Sequence, residues 1–565
     1  MSKVISIGNQ SYESIRTEDR FYIDKTSFIK EWWEMADVVT LITRPRRFGK
    51  TLNMDMLRCF FSNKYKDRGD LFEGLDIWKE EKYREIQGTY PVIFLSFAKV
   101  KQSNYANVIA AIKRSICDEV QKYIFLKDWD GLTDEEKNNL KSITYDMDDV
   151  TAQEAINNLS NYLSRYYGKN VIILLDEYDT PMQEAYVNGY WEELVAFTRS
   201  LFNSTFKTNP YLERAIMTGI TRVSKESIFS DLNNLVVVTT TSNEYETSFG
   251  FTEDEVFNAL DEYDLSDKKE EVKTWYDGFI FGDKKDIYNP WSITNYLKYR
   301  KFKTYWADSS SNGLVNDLIR TGSIETKKTM ETLLLGGIVE KNIDEQIVFQ
   351  QLKTNKDAVW SLLLASGYLR IEAFRTEGRL NKKVYSLKLT NFEVEQMFGA
   401  MIEQWFAGED VQYNDFIEAM LSGDLEEMNI YMNDVALNTF SLFDTGKKTS
   451  EKKAPENFFH GFVLGLMVDQ IDNYIITSNR ESGYGRYDIM LEPIDKQNIK
   501  YPAIIIEFKV INPQKENSLE ETVQVALKQI EEKNYDAELI KKGIKKENIR
   551  HYGFAFRGKE VLIGE

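Results

Sequence analysis

The sequence predicts an α/β chain whose N-terminal part is a parallel sheet covered by helices, and three observations carry this reading. Apolar runs at 38–43, 91–97, 171–176, 214–219 and 235–240 alternate with helix-like stretches, and strands separated by helices imply a parallel sheet. The first run, Val38-Val39-Thr40-Leu41-Ile42, leads into Arg44-Pro45-Arg46-Arg47-Phe48-Gly49-Lys50-Thr51 and then a helix-like stretch. The third, Val171-Ile172-Ile173-Leu174-Leu175, ends in Asp176 and Glu177, as a strand buried on both faces of such a sheet does.

Strand, tight loop, Gly-Lys-Thr and helix make a cradle for nucleotide phosphates. Backbone N–H groups and the helix N-terminus face the anion, Lys50 reaches the β/γ-phosphates, and the Thr51 hydroxyl ligates Mg²⁺. Arg44 stands where the consensus has glycine, and Gly-Lys-Ser/Thr alone arises by chance about 0.3 times in a chain of this length. The acidic strand adds the weight, because ligands sit at the carboxyl ends of parallel strands. There Asp176 completes the Mg²⁺ shell, and Glu177 orients and deprotonates the attacking water. Either segment alone also fits a solvated turn; their order and strand context favour nucleotide binding. In Arg214-Ala215-Ile216-Met217-Thr218-Gly219-Ile220-Thr221-Arg222, Thr218 is placed to sense the γ-phosphate and Arg222 to neutralise developing charge. A polar turn with a surface arginine accounts for the same residues.

A length of 565 residues exceeds the roughly 250–300 that one core supports, so several domains are expected. The formal net charge of −19 excludes indiscriminate nucleic-acid binding and confines such contact to local basic patches. Cys59 and Cys117 cannot make a disulfide framework and fit a reducing cytoplasm. The N-terminus lacks an apolar signal core, and no run approaches the ~18 apolar residues of a membrane span. The expectation is a soluble cytoplasmic protein without membrane contact.

Residues 245–300 read as a charged helical segment ending in Tyr288-Asn289-Pro290-Trp291, where Asn-Pro favours a turn. Residues 300–440 read as mainly helical with one hairpin. Trp360, Leu363, Leu364 and Gly367 fit a helix and its stop, and Tyr368-Leu369-Arg370-Ile371 a strand. Glu377-Gly378 makes the turn, and Tyr385, Leu387 and Leu389 alternate on the return strand. Helix plus hairpin is winged-helix-like. Its Arg370, Arg375, Arg379, Lys382, Lys383 and Lys388 are able to touch phosphates, although a solvated hairpin or interdomain spacer explains them better. The polar, lysine-rich stretch 444–453 is the best linker in the chain.

Beyond the linker, Pro455 suits the first residue of a helix, with Phe459, Phe462, Val463, Leu466 and Met467 spaced for one apolar face. Glu456 leans toward that face, where a carboxylate is unfavourable unless something pairs it, and this hints at a metal ligand. Its place in a first helical turn is explained equally by the helix macrodipole. Asp488 falls on one hairpin strand, and Ala503-Ile504-Ile505-Ile506-Glu507-Phe508-Lys509-Val510 forms the next, with Glu507 and Lys509 on one face. Two carboxylates and a lysine at a sheet's end can bind a divalent cation and orient a hydroxide for phosphodiester cleavage. Glu-x-Lys alone is expected by chance about twice; its value lies in the apolar strand around it, and a surface-facing edge strand is the competing reading.

With these motifs in hand, the whole chain resembles bacterial AAA-ATPase-like proteins, P-loop NTPases with a C-terminal PD-(D/E)XK nuclease-like domain. The matching segments are Tyr22-Ile23-Asp24-Lys25-Thr26, the loop from Leu41 to Leu52, Leu174 to Asp179, Thr218 to Ser224, Tyr288 to Ser292, Gly485 to Asp488, and Ile506 to Lys509. The resemblance implies that Arg44 is the family's own loop variant. It assigns Lys50 and Thr51 to phosphate and Mg²⁺, with Arg46, Arg47, Phe48, Gly49 and Leu52 as their loop neighbours and Asp176 and Glu177 as the second acidic motif. It further assigns Glu456, Asp488, Glu507 and Lys509 to a restriction-endonuclease-like α/β site, with Gln529 and Tyr535 on the helix that follows. The expected domains are 1–300, 301–443 and 455–565.

Two functions follow as expectations. One is an ATP-hydrolysing protein with a nuclease that uses Mg²⁺ or Mn²⁺ on nucleic acid, DNA foremost. In the other, ATP switches an interaction protein whose nuclease-like domain only binds. Arg222 acting in trans would imply a homo-oligomer.

Overall fold

The computed structural model describes residues 2–222, 228–229, 232–307, 313–320, 324–334, 336–344, 352, 357–379, 382–406, 413–440, 473–478, 481–482, 485–496, 498, 500–557 and 560–565. The five N-terminal apolar runs are strands: β1 (Val39–Thr43), β2 (Val92–Ser96), β3 (Val171–Asp176), β4 (Leu212–Gly219) and β5 (Leu235–Val238). They pair in the order β2-β3-β4-β1-β5, and every pairing is parallel. β1 and β3 are buried along their whole length, as apolar runs covered on both faces must be. β5, at the edge, is only partly covered.

Parallel strands open their carboxyl ends onto one rim of the sheet. Thr43 pairs with Gly219, and Leu175 with Met217, so residues 44–49, 177–179 and 219–222 lie side by side. Gly49 has φ of 80°, a conformation natural to glycine, and helix Lys50–Phe61 starts directly after it. That helix sinks Met54, Leu57, Phe60 and Phe61 into a core shared with Trp32, Phe72, Ile172 and Leu174. Other helices begin where the sequence supplies caps: the side chains of Asn104 and Asp148 accept from the N–H groups of Asn107 and Thr151.

Residues 251–299 are more than a helical segment. Strands β6 (Phe251–Thr252), β7 (Phe279–Phe281) and β8 (Lys284–Tyr288) form an antiparallel sheet in the order β6-β8-β7. Strands this short leave no readable alternation. Asn289 caps helix Pro290–Tyr299, its Oδ1 accepting from the N–H groups of Trp291 and Ser292. The Asn-Pro pair is therefore a helix start rather than a simple turn.

The hairpin region contains helix Ala358–Ala365 and strands β9 (Val339–Lys341), β10 (Leu369–Glu377) and β11 (Lys382–Leu389), in the order β10-β11-β9. Arg370 pairs with Glu372, and Arg375 with Glu340 and Glu377, so these arginines are engaged by local carboxylates. The chain divides into two compact units, Met1–Val315 with Ile338–Glu395, and Asn316–Gly337 with Gln396–Glu565. Residues 301–443 are thus shared between the two.

The second unit holds a mixed sheet of β12 (Tyr474–Ser478), β15 (Ile489–Pro493), β16 (Ala503–Val510), β17 (Ile549–Arg557) and β18 (Glu560–Gly564), paired in that order. A short ribbon, β13 (Glu481–Ser482) with β14 (Gly485–Arg486), precedes β15. β16 and β17 run parallel, so the chain between them must cross over, and helix Leu519–Glu532 lies in that crossover. β16 is central, which removes the edge-strand reading: Ile504, Ile506 and Phe508 pack with Phe416, Met420 and Met432 on one face. On the other, Ala503 and Ile505 meet Ile530 and Leu539. The linker 444–453, Glu456 and the helix expected from Pro455 lie outside the described residues. Among the described residues no helix is long and apolar enough to cross a membrane.

Leu174 sits fully buried inside β3. Leu174→Ala should lower stability by about 2–5 kcal/mol through lost burial and a cavity, read as a lower urea midpoint of the first unit's unfolding.

Candidate functional site

The loop after β1 is closed by its own lysine. Lys50 is buried, and its Nζ donates to the carbonyl oxygens of Arg44 at 2.9 Å and Pro45 at 2.7 Å. Burial pushes its pKa down, and the nearby Glu177, Asp179 and Asp176 oppose that shift. Arg44, also fully buried, points away from the loop. Its guanidinium donates to the carbonyls of Thr43 and Thr239 at 2.9 and 2.7 Å, and lies 4.7 Å from the Phe281 ring centroid. The residue in the glycine position is thus an anchor between β1 and the chain beyond β5. Phe48 packs on Phe279 and Phe281. Arg46 offers Nη2 to Gln183 at 3.4 Å, and the Arg47 guanidinium lies 4.2 Å from the Trp291 ring centroid.

At the end of β3, the wholly buried Asp176 accepts from the Thr51 hydroxyl at 2.8 Å and the Thr218 hydroxyl at 2.7 Å. Burial raises its pKa against the pull of these two hydrogen bonds. Loop helix, β3 and β4 therefore meet at one carboxylate. A hydroxyl and a carboxylate are the hard oxygen donors that Mg²⁺ prefers, so this pair fits the cation the motifs imply. Glu177 follows in a left-handed conformation, φ 53°, and accepts from Thr180 Oγ1 at 3.2 Å.

A cleft of about 550 Å³ opens over the loop. Arg46, Arg47, Phe48, Gly49, Lys50, Thr51, Leu52 and Glu177 line it, with Tyr22, Ile23, Gln183 and Trp291. Asp176 and Thr218 lie beneath the lining, and Arg222 is not part of it. The Arg222 Nε is buried with no partner among the described residues.

Sequence reasoning missed Asp179 as an individual site residue. It is fully buried and accepts from Ile220 N–H, Thr221 N–H and the Thr221 hydroxyl at 2.9–3.0 Å. It thereby ties the chain after β3 to the chain after β4. Its trace in the sequence is the density of the run Asp176-Glu177-Tyr178-Asp179, three carboxylates in four residues.

In the second unit, Asp488 stands one residue before β15. Its Oδ2 accepts from the Phe508 N–H at 2.8 Å, which places it beside Glu507. Glu507 is 1% exposed. Lys509 Nζ donates to its Oε1 at 2.6 Å, Gln529 Nε2 donates to the same oxygen, and Gln529 also reaches Tyr535 Oη at 3.2 Å. Asp488, Glu507, Lys509, Gln529 and Tyr535 are thus one cluster. Its two carboxylates suit a hard divalent cation. Glu456 lies outside the described residues.

A family model described as predicted AAA-ATPase matches residues 6–229, and one of the PD-(D/E)XK nuclease superfamily matches residues 454–565. The chain carries an AAA-ATPase-like domain followed by a PD-(D/E)XK nuclease superfamily domain. An uncharacterized protein from the vnfD 5′ region of Azotobacter chroococcum mcd 1 is 25% identical over 401 residues, covering 70% of this chain and 68% of its own. A solved Signal Transduction ATPase with Numerous Domains protein with a tetratricopeptide repeat sensor, from Pyrococcus horikoshii, overlaps 80% of this chain at 12% identity and a TM-score of 0.21. The overlap spans 49% of that structure's own length, and the likeness carries no argument.

A further acidic group, Glu253, Asp277 and Asp286, brings one oxygen from each residue within 4.8 Å of the others. No spacing in the sequence announces it, because the hairpin β7–β8 assembles it. Lys273 pairs with Glu253 and lies 3.8 Å from Asp286. Burial first, then Asp286, pushes Asp277 up to about 7. A raised carboxyl pKa gives stability that is complete below the unfolded value near 3.8 and is lost as pH rises through about 7. Asp277→Asn should therefore gain stability relative to wild type between pH 4 and 7, measured as the difference in melting temperature across that range.

Proposed function

We propose that the first unit binds ATP with Mg²⁺ and hydrolyses it, and that the C-terminal domain cleaves phosphodiester bonds of nucleic acid, DNA foremost, with Mg²⁺ or Mn²⁺. The observation that carries the first half is the meeting of Lys50, Thr51 and Asp176 at the carboxyl rim of a parallel sheet. Loop N–H groups orient the phosphates, and Lys50 exchanges its loop carbonyls for phosphate oxygens. Mg²⁺, when bound, neutralises phosphate charge, with Thr51 and Asp176 to hold it. Glu177 lines the cleft and accepts a proton from the attacking water.

The second half is supported by the superfamily match and by the Asp488, Glu507 and Lys509 cluster. Asp488 and Glu507 hold the cation, and the Lys509 ammonium steadies the hydroxide or the charge of the pentavalent phosphorus. The reading in which ATP only switches a binding module draws on the net charge of −19.

Lys50→Ala should abolish binding of a fluorescent ATP analogue in titration; unchanged affinity would remove Lys50 from the site. Glu177→Gln should retain that binding and slow phosphate release by roughly 10²–10⁴-fold, the worth of a positioned base. Undiminished turnover would assign the water to another group.

For the nuclease, wild type should cut single- or double-stranded DNA or RNA with Mg²⁺ or Mn²⁺, with or without ATP. Lys509→Ala should lose cleavage while keeping its melting temperature and nucleic-acid affinity. If wild type cuts none of these above the Lys509→Ala control, the switch reading takes its place.

A further inference from the structure

We infer that Glu393 is a positioning residue for the phosphate loop, acting through Trp306 and the start of helix Pro290–Tyr299 on Arg46 and Arg47. The inference rests on the nucleotide reading of the cleft.

Glu393 is wholly buried, where a carboxyl group is unfavourable unless its oxygens are satisfied. Oε2 accepts from the Ser292 hydroxyl at 2.8 Å, and Oε1 from the Trp306 N–H at 2.6 Å. The Ala307 N–H also favours its charged form. All of these donors are neutral, and burial raises the carboxyl pKa to about 7 despite them. Among the described residues no cation pairs with this acid. It gathers two pieces of chain, Ser292 and residues 305–307, into one place.

Those pieces carry the two tryptophans that touch the loop. The Trp306 indole N–H donates to the Arg46 carbonyl at 3.0 Å, and Asn289 Nδ2 reaches the same oxygen at 3.4 Å. Trp291, under the Arg47 guanidinium, donates its indole N–H to the Tyr305 carbonyl at 3.1 Å. Both tryptophans are therefore tied to segment 305–307, and they end on consecutive residues of the loop.

The loop needs such a grip because Arg47 has φ of 64°. A non-glycine residue in the left-handed region is strained and persists only where its surroundings hold it. With Gly49 also left-handed, this turn sets where the loop N–H groups point. Freed of the Arg46 carbonyl contact, the peptide between Arg46 and Arg47 is able to rotate, and the anion-facing set of donors is lost.

The test compares the full-length chain with Glu393→Ala, Glu393→Gln, Trp306→Phe and the double variant Glu393→Ala/Trp306→Phe. Trp306→Phe keeps the aromatic packing and removes only the indole donor. The readouts are affinity for the fluorescent ATP analogue with Mg²⁺, kcat and KM for ATP, melting temperature, and hydrogen exchange of amides 46–52 without nucleotide. Glu393→Ala and Trp306→Phe should each raise Kd and KM about 10- to 100-fold, the effect of an unmade buried hydrogen bond, and speed exchange in the loop. Glu393→Gln, which keeps an acceptor for the Trp306 N–H, should stay within about threefold of wild type. The double variant should bind no worse than the weaker single one, because both act through one path.

Wild-type affinity and exchange in a folded Glu393→Ala or Trp306→Phe overturns the inference, and so does additivity in the double variant. If Glu393→Ala does not fold, Trp306→Phe decides alone. If wild type binds no ATP analogue, the nucleotide reading fails, and loop exchange in Trp306→Phe then decides the positioning role by itself.

Discussion

Lys50 donating to the carbonyls of Arg44 and Pro45 is the contact on which the loop after β1 depends. A buried ammonium must have acceptors, and here the loop itself supplies them. The same bonds close the loop on its own lysine. Three carboxylates nearby, on Asp176, Glu177 and Asp179, favour the charged amine against its burial.

The first unit surrounds that loop with supports from far along the chain. Arg44 secures its start to the segment after β5, and Asp179 joins the turns after β3 and β4. Gly367, with φ of 85°, lets the helix–hairpin element approach Pro45 so closely that a Cβ there would stand 2.8 Å from the proline ring. Distant parts of the sequence therefore converge around one short loop. Such convergence keeps strained residues in place.

Both clusters hold a buried carboxylate on an interior strand, Asp176 at the end of β3 and Glu507 within β16, yet they stabilise it differently. Asp176 has two hydroxyl donors and sits above the ordinary carboxylate range. Glu507 has an ammonium and an amide on one oxygen. Neutral donors leave Asp176 ready for a cation to compensate its charge, whereas Lys509 already compensates Glu507.

The sequence by itself determined the five parallel strands, the loop with its Gly-Lys-Thr, the acidic strand end and the Glu507–Lys509 strand. Each is a local pattern: a continuous apolar run, a spacing of two along a strand, or a motif of eight residues. The short strands β6 and β7 escaped because two or three residues carry no period, and Asn-Pro read as a turn because a helix cap and a turn share residue types. Counting cations overstated the basic hairpin, since the Glu340 that engages Arg375 comes from a separate strand. Only the tertiary structure decided that β4 lies between β1 and β3, that Arg44 is an anchor, that β16 is central, that Trp306 reaches the loop and that Glu393 holds Trp306. Those facts reside in hydrogen bonds between residues distant in sequence, such as Arg44 with Thr239 and Trp306 with Arg46, and burial gives such bonds their energy without leaving a pattern along the chain.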